Sequence, residues 1–120
     1  MATGDDVRRF ALSLPRTEER WVKDRVKFKV GRLVYATLSP DEKSMGFGFP
    51  KEERAALVAA EPYKFHMPAT RDLRYNWVRV WLAEIDEAEM RELVLDAWRM
   101  CVSKAQRTDY DRSIESGQAG

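Results

Sequence analysis

At 120 residues and 14.0 kDa the chain is long enough for one domain with a buried core and too short for two of ordinary size. Hydrophobic residues make up 44% and charged residues 34%, a globular composition that excludes the disordered class. Twenty-one basic and 20 acidic side chains leave a net charge of +1, so bulk charge names no polyanionic partner.

Thr3-Gly-Asp-Asp6 has the spacing of a helix N-terminus, with Asp in place of the usual Glu of a capping box. Val7, Phe10, Ala11 and Leu14 follow at i, i+3, i+4 and i+7, which predicts an amphipathic helix over 4–13 that Pro15 stops. From Glu18 the period changes to two. Trp21 and Val22 belong to a first strand, and Val26, Phe28 and Val30 alternate with Arg25, Lys27 and Lys29 in the next. Gly31-Arg32 makes a tight connection to a strand over 33–38, so the pair reads as a hairpin. Ser44 to Phe49 supplies a fourth strand whose glycines suggest a bulge or a close backbone approach.

Pro50 and the acids after it mark a helix start, with Pro62 closing the helix beyond Ala60. Residues 63–75 lack periodicity and read as a loop. Asn76 to Leu82 then alternates strictly: Val78, Val80 and Leu82 share one face of a strand, and Trp77, Arg79 and Trp81 the other. Asp86 to about Ala105 reads as one long helix with Met90, Leu93, Val94, Ala97 and Cys101 on its apolar stripe. A frayed tail is expected from Thr108. Short connections between the early strands favour an antiparallel sheet. The class is α+β: a single antiparallel sheet with helices packed on one face, in one domain over 3–107 followed by a flexible tail at 108–120.

The chemistry-bearing residues are sparse. One cysteine, Cys101, excludes an internal disulfide and a multi-cysteine metal site, and its place on the apolar stripe makes it a core residue. One histidine, His66, excludes a histidine-pair site. Acid pairs such as Glu52-Glu53 lie in first helical turns, where the helix dipole accounts for them. No catalytic signature, metal site or cofactor-binding motif is found. The chain has no signal peptide and no apolar run near the roughly 20 residues that span a bilayer, so a soluble cytoplasmic protein is expected, without a membrane partner.

Leu14-Pro15, Trp21, Phe28-Lys29-Val30-Gly31-Arg32-Leu33, Tyr35 and Asn76-Trp77-Val78 before a closing helix resemble, in order and spacing, the MmcQ/YjbR-like family. The resemblance covers roughly residues 3–107. It implies a fold similar to the frataxin-like and secretion-chaperone-like α+β domains. Members are labelled predicted DNA-binding proteins with a "double wing" arrangement, so the resemblance implies DNA as a partner and supplies no catalytic residues. The stretch from Phe65 to Tyr75 is longer here than in short versions of the family.

Charge is uneven along the chain: residues 1–35 carry nine basic and five acidic groups and 63–82 carry four and one, while 83–120 carry five and nine. The basic blocks fall on the strands. Arg25, Lys27 and Lys29, spaced for phosphate contacts along one strand face, are candidates for DNA binding, as are Trp77, Arg79 and Trp81, where indoles could stack on bases beside a guanidinium. The bland readings are a solvated strand face for the first set and a second core contact for the other. In the loop, His66, Arg71, Arg74 and Tyr75 are candidates to close over a ligand. The leading expectation is a small binding domain that contacts DNA weakly or non-specifically. The alternative is a protein-interaction or chaperone-like domain that receives a partner on the Trp-Arg-Trp face or at a sheet edge.

Overall fold

The computed structural model describes residues 1–116. The helix α1 (Gly4–Ser13) starts on a full capping box: the Thr3 hydroxyl accepts from the Asp6 N–H at 3.1 Å, and an Asp6 carboxylate oxygen accepts from the Thr3 N–H at 3.0 Å. The strands β1 (Thr17–Val22), β2 (Arg25–Val30), β3 (Leu33–Leu38) and β4 (Ser44–Gly48) then form an antiparallel meander. Gly31 turns the β2–β3 hairpin at a φ of 60°, which a glycine adopts without strain. After α2 (Lys51–Ala60) the chain adds β5 (Phe65–His66), passes through a long loop, and inserts β6 (Trp77–Trp81) between β4 and β5. The sheet order is β1-β2-β3-β4-β6-β5, with every pair antiparallel.

One face of the sheet is the core. Val26 and Phe28 of β2, Ala36 and Leu38 of β3, Met45 and Phe47 of β4 and Val78 and Val80 of β6 are all buried against helices. Val7 and Ala11 of α1 and Met90, Val94, Ala97 and Trp98 of α3 (Glu87–Cys101) complete it. Burying a large aliphatic or aromatic side chain contributes about 1.5–3 kcal/mol each, so this face anchors the fold. A bulge between Phe28 and Lys29 lets the adjacent Tyr35 and Ala36 both reach the interior. The Tyr35 hydroxyl meets Thr17 Oγ1 at 2.8 Å and the Ala11 carbonyl at 3.4 Å, and burial pushes its phenol above the ordinary range.

Three expectations are corrected. The closing helix is not continuous over 86–105: α3 ends at Cys101, and Ser103 caps a new helix, α4 (Lys104–Glu115). Residues 108–115 are therefore helical rather than frayed, with Tyr110 packed on Trp98 at a centroid distance of 5.3 Å. Residues 117–120 of the expected tail lie outside the described residues. The expected loop at 63–75 contains β5 and a 3-10 turn, Thr70–Asp72.

Candidate nucleic-acid interface

The face of the sheet turned away from α1 and α3 carries an open groove of about 940 Å³. Its floor follows from strand parity and register. Lys27 of β2 lies opposite Thr37 of β3, Thr37 opposite Gly46 of β4, Gly46 opposite Arg79 of β6, and Arg79 opposite His66 of β5. That row crosses five strands on one face. The loop joining β5 to β6 rises beside it as a wall, contributing Arg71, Asp72 and Tyr75 to the lining.

The two sides of the groove differ chemically. On the β2–β3 side stand Arg25, Lys27 and Arg32, none of which forms an ion pair among the described residues. On the β5–β6 side stand Trp77, Trp81, His66 and Tyr75, together with Arg71 of the loop and Arg79. Asp41 and Asp72 are the acids of the lining, against five arginines and lysines.

Trp77 and Trp81 play different parts. A Cβ built on Gly46 would lie 2.6 Å from Trp77 Nε1 and 2.9 Å from both Trp77 Cζ2 and Thr37 Oγ1. The Trp77 indole therefore lies across the sheet in space that only glycine leaves, and it is half-buried. Trp81 remains 43% exposed. One face of its indole is stacked on His66, with centroids 4.4 Å apart and planes 19° from parallel. His66 Nε2 is 3.4 Å from Ser44 Oγ, and the buried Nδ1 has no partner among the described residues. Burial of the imidazole and, secondarily, the nearby Arg79 charge hold His66 below the usual histidine pKa.

Arg79 is already engaged. Its Nε and Nη2 both donate to the Met67 carbonyl, at 2.9 and 2.6 Å, so the guanidinium pins the start of the loop. The far end of the loop is held from α2. Arg54, only 6% exposed, donates through Nη1 to the carbonyls of Tyr75 and Trp77 and through Nη2 to that of Leu73, at 2.8–3.0 Å. Tyr75 is braced in turn by Arg74, whose guanidinium lies 4.8 Å from the ring centroid and donates to the phenol oxygen at 2.8 Å.

Of the residues expected from sequence, the groove gathers Arg25, Lys27, Trp77, Arg79, Trp81, His66, Arg71 and Tyr75. Lys29 and Arg74 do not line it. Lys29 lies farther along β2, opposite Val34 just past the bulge, and Arg74 stands behind Tyr75. Thr37, Ser44 and Arg32 are additions. The first two occupy positions that alternate with the core residues of β3 and β4, a signal present in the sequence; Arg32 sits in a turn, where no periodicity marks it.

Among the described residues no group of three or more His, Cys, Asp or Glu could hold a metal ion. No helix among them is long and apolar enough to cross a membrane. No curated protein matches the chain significantly. Among solved structures, the crystal structure of Deinococcus radiodurans protein DR2400, with the family-model domain DUF419, is similar in fold. It has a TM-score of 0.73 at 24% identity, over 91% of this chain and 88% of that one. The YjbR family model matches residues 12–100, a span that contains all six strands and the whole groove, and the chain belongs to the YjbR family.

Proposed function

We propose that this chain is a small binding domain that takes up DNA in the outer-face groove. The observation that carries this reading is the convergence, in one cleft, of Arg25, Lys27 and Arg32, without carboxylate partners among the described residues, and of exposed aromatic rings on the opposite side. Unpaired cations in a shared concavity raise the local concentration of a polyanion, and phosphate contacts supply most of the affinity of non-specific binding. The double-wing DNA-binding expectation attached to the family agrees in type with this surface. The net charge of only +1 keeps the expected affinity modest, because the acidic excess elsewhere opposes long-range attraction.

The test is a titration of the protein with duplex and single-stranded DNA at low and moderate salt. Binding through these cations weakens steeply as salt rises, and a Lys27→Glu, Arg25→Glu pair lowers the slope of log K against log salt by about one per lost phosphate contact. Absence of binding to either form at low salt removes the reading.

The edge strand β1 supports a second reading. Trp21 and Val22 are 57% and 48% exposed there, and among the described residues the outer edge of β1 pairs with no other strand. A partner chain adding a strand to this edge would use its free backbone groups and pack on Trp21. A crosslink from a photoreactive group at position 22 to a partner protein would support it, and β1 amides that exchange equally fast with and without that partner would dismiss it.

A further inference from the structure

We propose that the groove selects single-stranded over duplex DNA, with unpaired bases stacking on Trp81 and Tyr75 while the phosphates run along Arg25, Lys27 and Arg32. This inference rests on the DNA-binding reading above and names the form of DNA that the same site accepts.

The argument begins with the separation of chemistries across the sheet. Lys27 and Arg79 are register-linked through Thr37 and Gly46, three strand spacings apart. At about 4.8 Å per spacing that is roughly 14 Å between backbones. Both side chains stand on the outer face, with the Trp77 indole over Gly46 as the floor between them, so a strand lying along the groove would set its phosphates toward β2 and its bases toward β6. An unpaired strand presents those two groups on opposite sides. A duplex keeps its base faces stacked inside and turns phosphates outward on both sides, so the aromatic half of this groove would meet no complementary surface.

The aromatic groups are also held ready. His66 covers one face of Trp81, so the exposure that remains belongs to the other face and the ring edges. Tyr75 is 51% exposed, yet Arg74 holds it by a stack and a hydrogen bond. Rings fixed in advance lose little freedom when a base lands on them. Arg79, with its fork committed to the Met67 carbonyl, shapes the wall rather than contacting phosphate. Among the described residues no α-helix lines the groove, so the element that most often enters a major groove is missing from this surface.

The experiment compares a thymidine oligonucleotide of about 12 nucleotides with a blunt duplex of equal length. Affinities are measured by anisotropy of a labelled strand at fixed low salt, for the wild type, Trp81→Ala and Tyr75→Ala. Single strands should bind at least tenfold tighter than duplex, and each substitution should weaken single-strand binding by about 5- to 150-fold, the range of one base–aromatic stack. Neither substitution should alter duplex binding. Tyr75 lies in the loop, so its variant remains informative if the Trp81 variant does not fold. Duplex binding equal to or tighter than single-strand binding, or single-strand affinity unmoved by both substitutions, overturns the inference and leaves the DNA reading standing. Failure of both DNA forms to bind overturns the two together.

Discussion

The indole of Trp77 on β6 occupies the space that a side chain on Gly46, in the neighbouring strand β4, would need. This contact joins the fold to the groove, because the ring it admits forms part of the floor. Gly46→Ala should displace Trp77 or bend β4, at the cost of about 1–3 kcal/mol usual for overpacking. Gly48→Ala is the control. Its Cβ would meet Ala97 at an ordinary 3.7 Å, so its stability should stay within about 0.5 kcal/mol of wild type. Urea denaturation of the two variants checks the contrast, and equal midpoints would show that the ring is not held as described.

Among the described residues, Arg54 is a buried cation whose partners are three backbone carbonyls rather than a carboxylate, and its Nε has no partner. Two effects oppose each other when it is replaced by methionine. Hydrogen bonds from a charged donor are worth about 1.5–3 kcal/mol, but removing an ion also relieves its desolvation cost. The global loss should therefore be modest, about 1–3 kcal/mol, while the local effect dominates. Amides of residues 73–77 should exchange faster in Arg54→Met by more than the global change explains. Lysine should restore little, since one ammonium cannot reproduce the fork that reaches Leu73, Tyr75 and Trp77 together. Hydrogen exchange read by mass spectrometry decides it.

Much of this architecture is legible in the residues, and the boundary of legibility has physical causes. Strict alternation in Arg25–Val30 and Trp77–Leu82 marks strands half-buried on one face, because one side packs on helices and the other is open. The two residues of β5 are too few to show any period, so the insertion of β6 between β4 and β5 is not readable. The break after Cys101 is masked by an apolar stripe that continues past it, although Ser103 and Gln106 carry the spacing of a capping box that the structure forms. No local pattern marks Arg54 as buried. Its burial depends on where a distant loop turns its carbonyls, which no local pattern encodes. Arg79 presents the converse case: its strand face is legible, but its engagement by Met67 is tertiary.

His66 is the chain's single histidine, so its titration can be followed without ambiguity. Its pKa in the folded protein lies below the ordinary 6.5, first from burial and second from Arg79. The unfolded chain therefore takes up the proton before the folded one does. The stability contributed by neutral His66 is complete above about pH 6.5 and declines as pH falls toward the folded pKa, below which the loss is full. Replacing Arg79 by methionine should move the folded pKa back toward 6.5 without reaching it, since burial remains. Titration of the imidazole carbon proton by NMR measures both midpoints, and a wild-type midpoint at or above 6.5 would refute the assignment.

The packing of α4 on α3 gives the last prediction. Trp98 is fully buried, donates its indole N–H to the Pro15 carbonyl at 3.1 Å, and meets Tyr110 at 5.3 Å with rings tilted 55°. Arg99 and Asp111 close an ion pair beside that contact, and Arg107 donates to the Arg99 carbonyl at 3.1 Å. The ion pair is half-exposed on both sides, so it should contribute less than about 1 kcal/mol. The aromatic contact should dominate, with Tyr110→Ala costing about 1–3 kcal/mol through lost burial and the ring pair, and Asp111→Asn less than half as much. Labelling the four tryptophans with 5-fluorotryptophan and recording 19F spectra isolates the site. The Trp98 resonance should shift toward its solvent-exposed position in Tyr110→Ala and stay in place in Asp111→Asn. A Trp98 resonance unmoved by loss of Tyr110, with stability unchanged, would show that α4 does not cover the core.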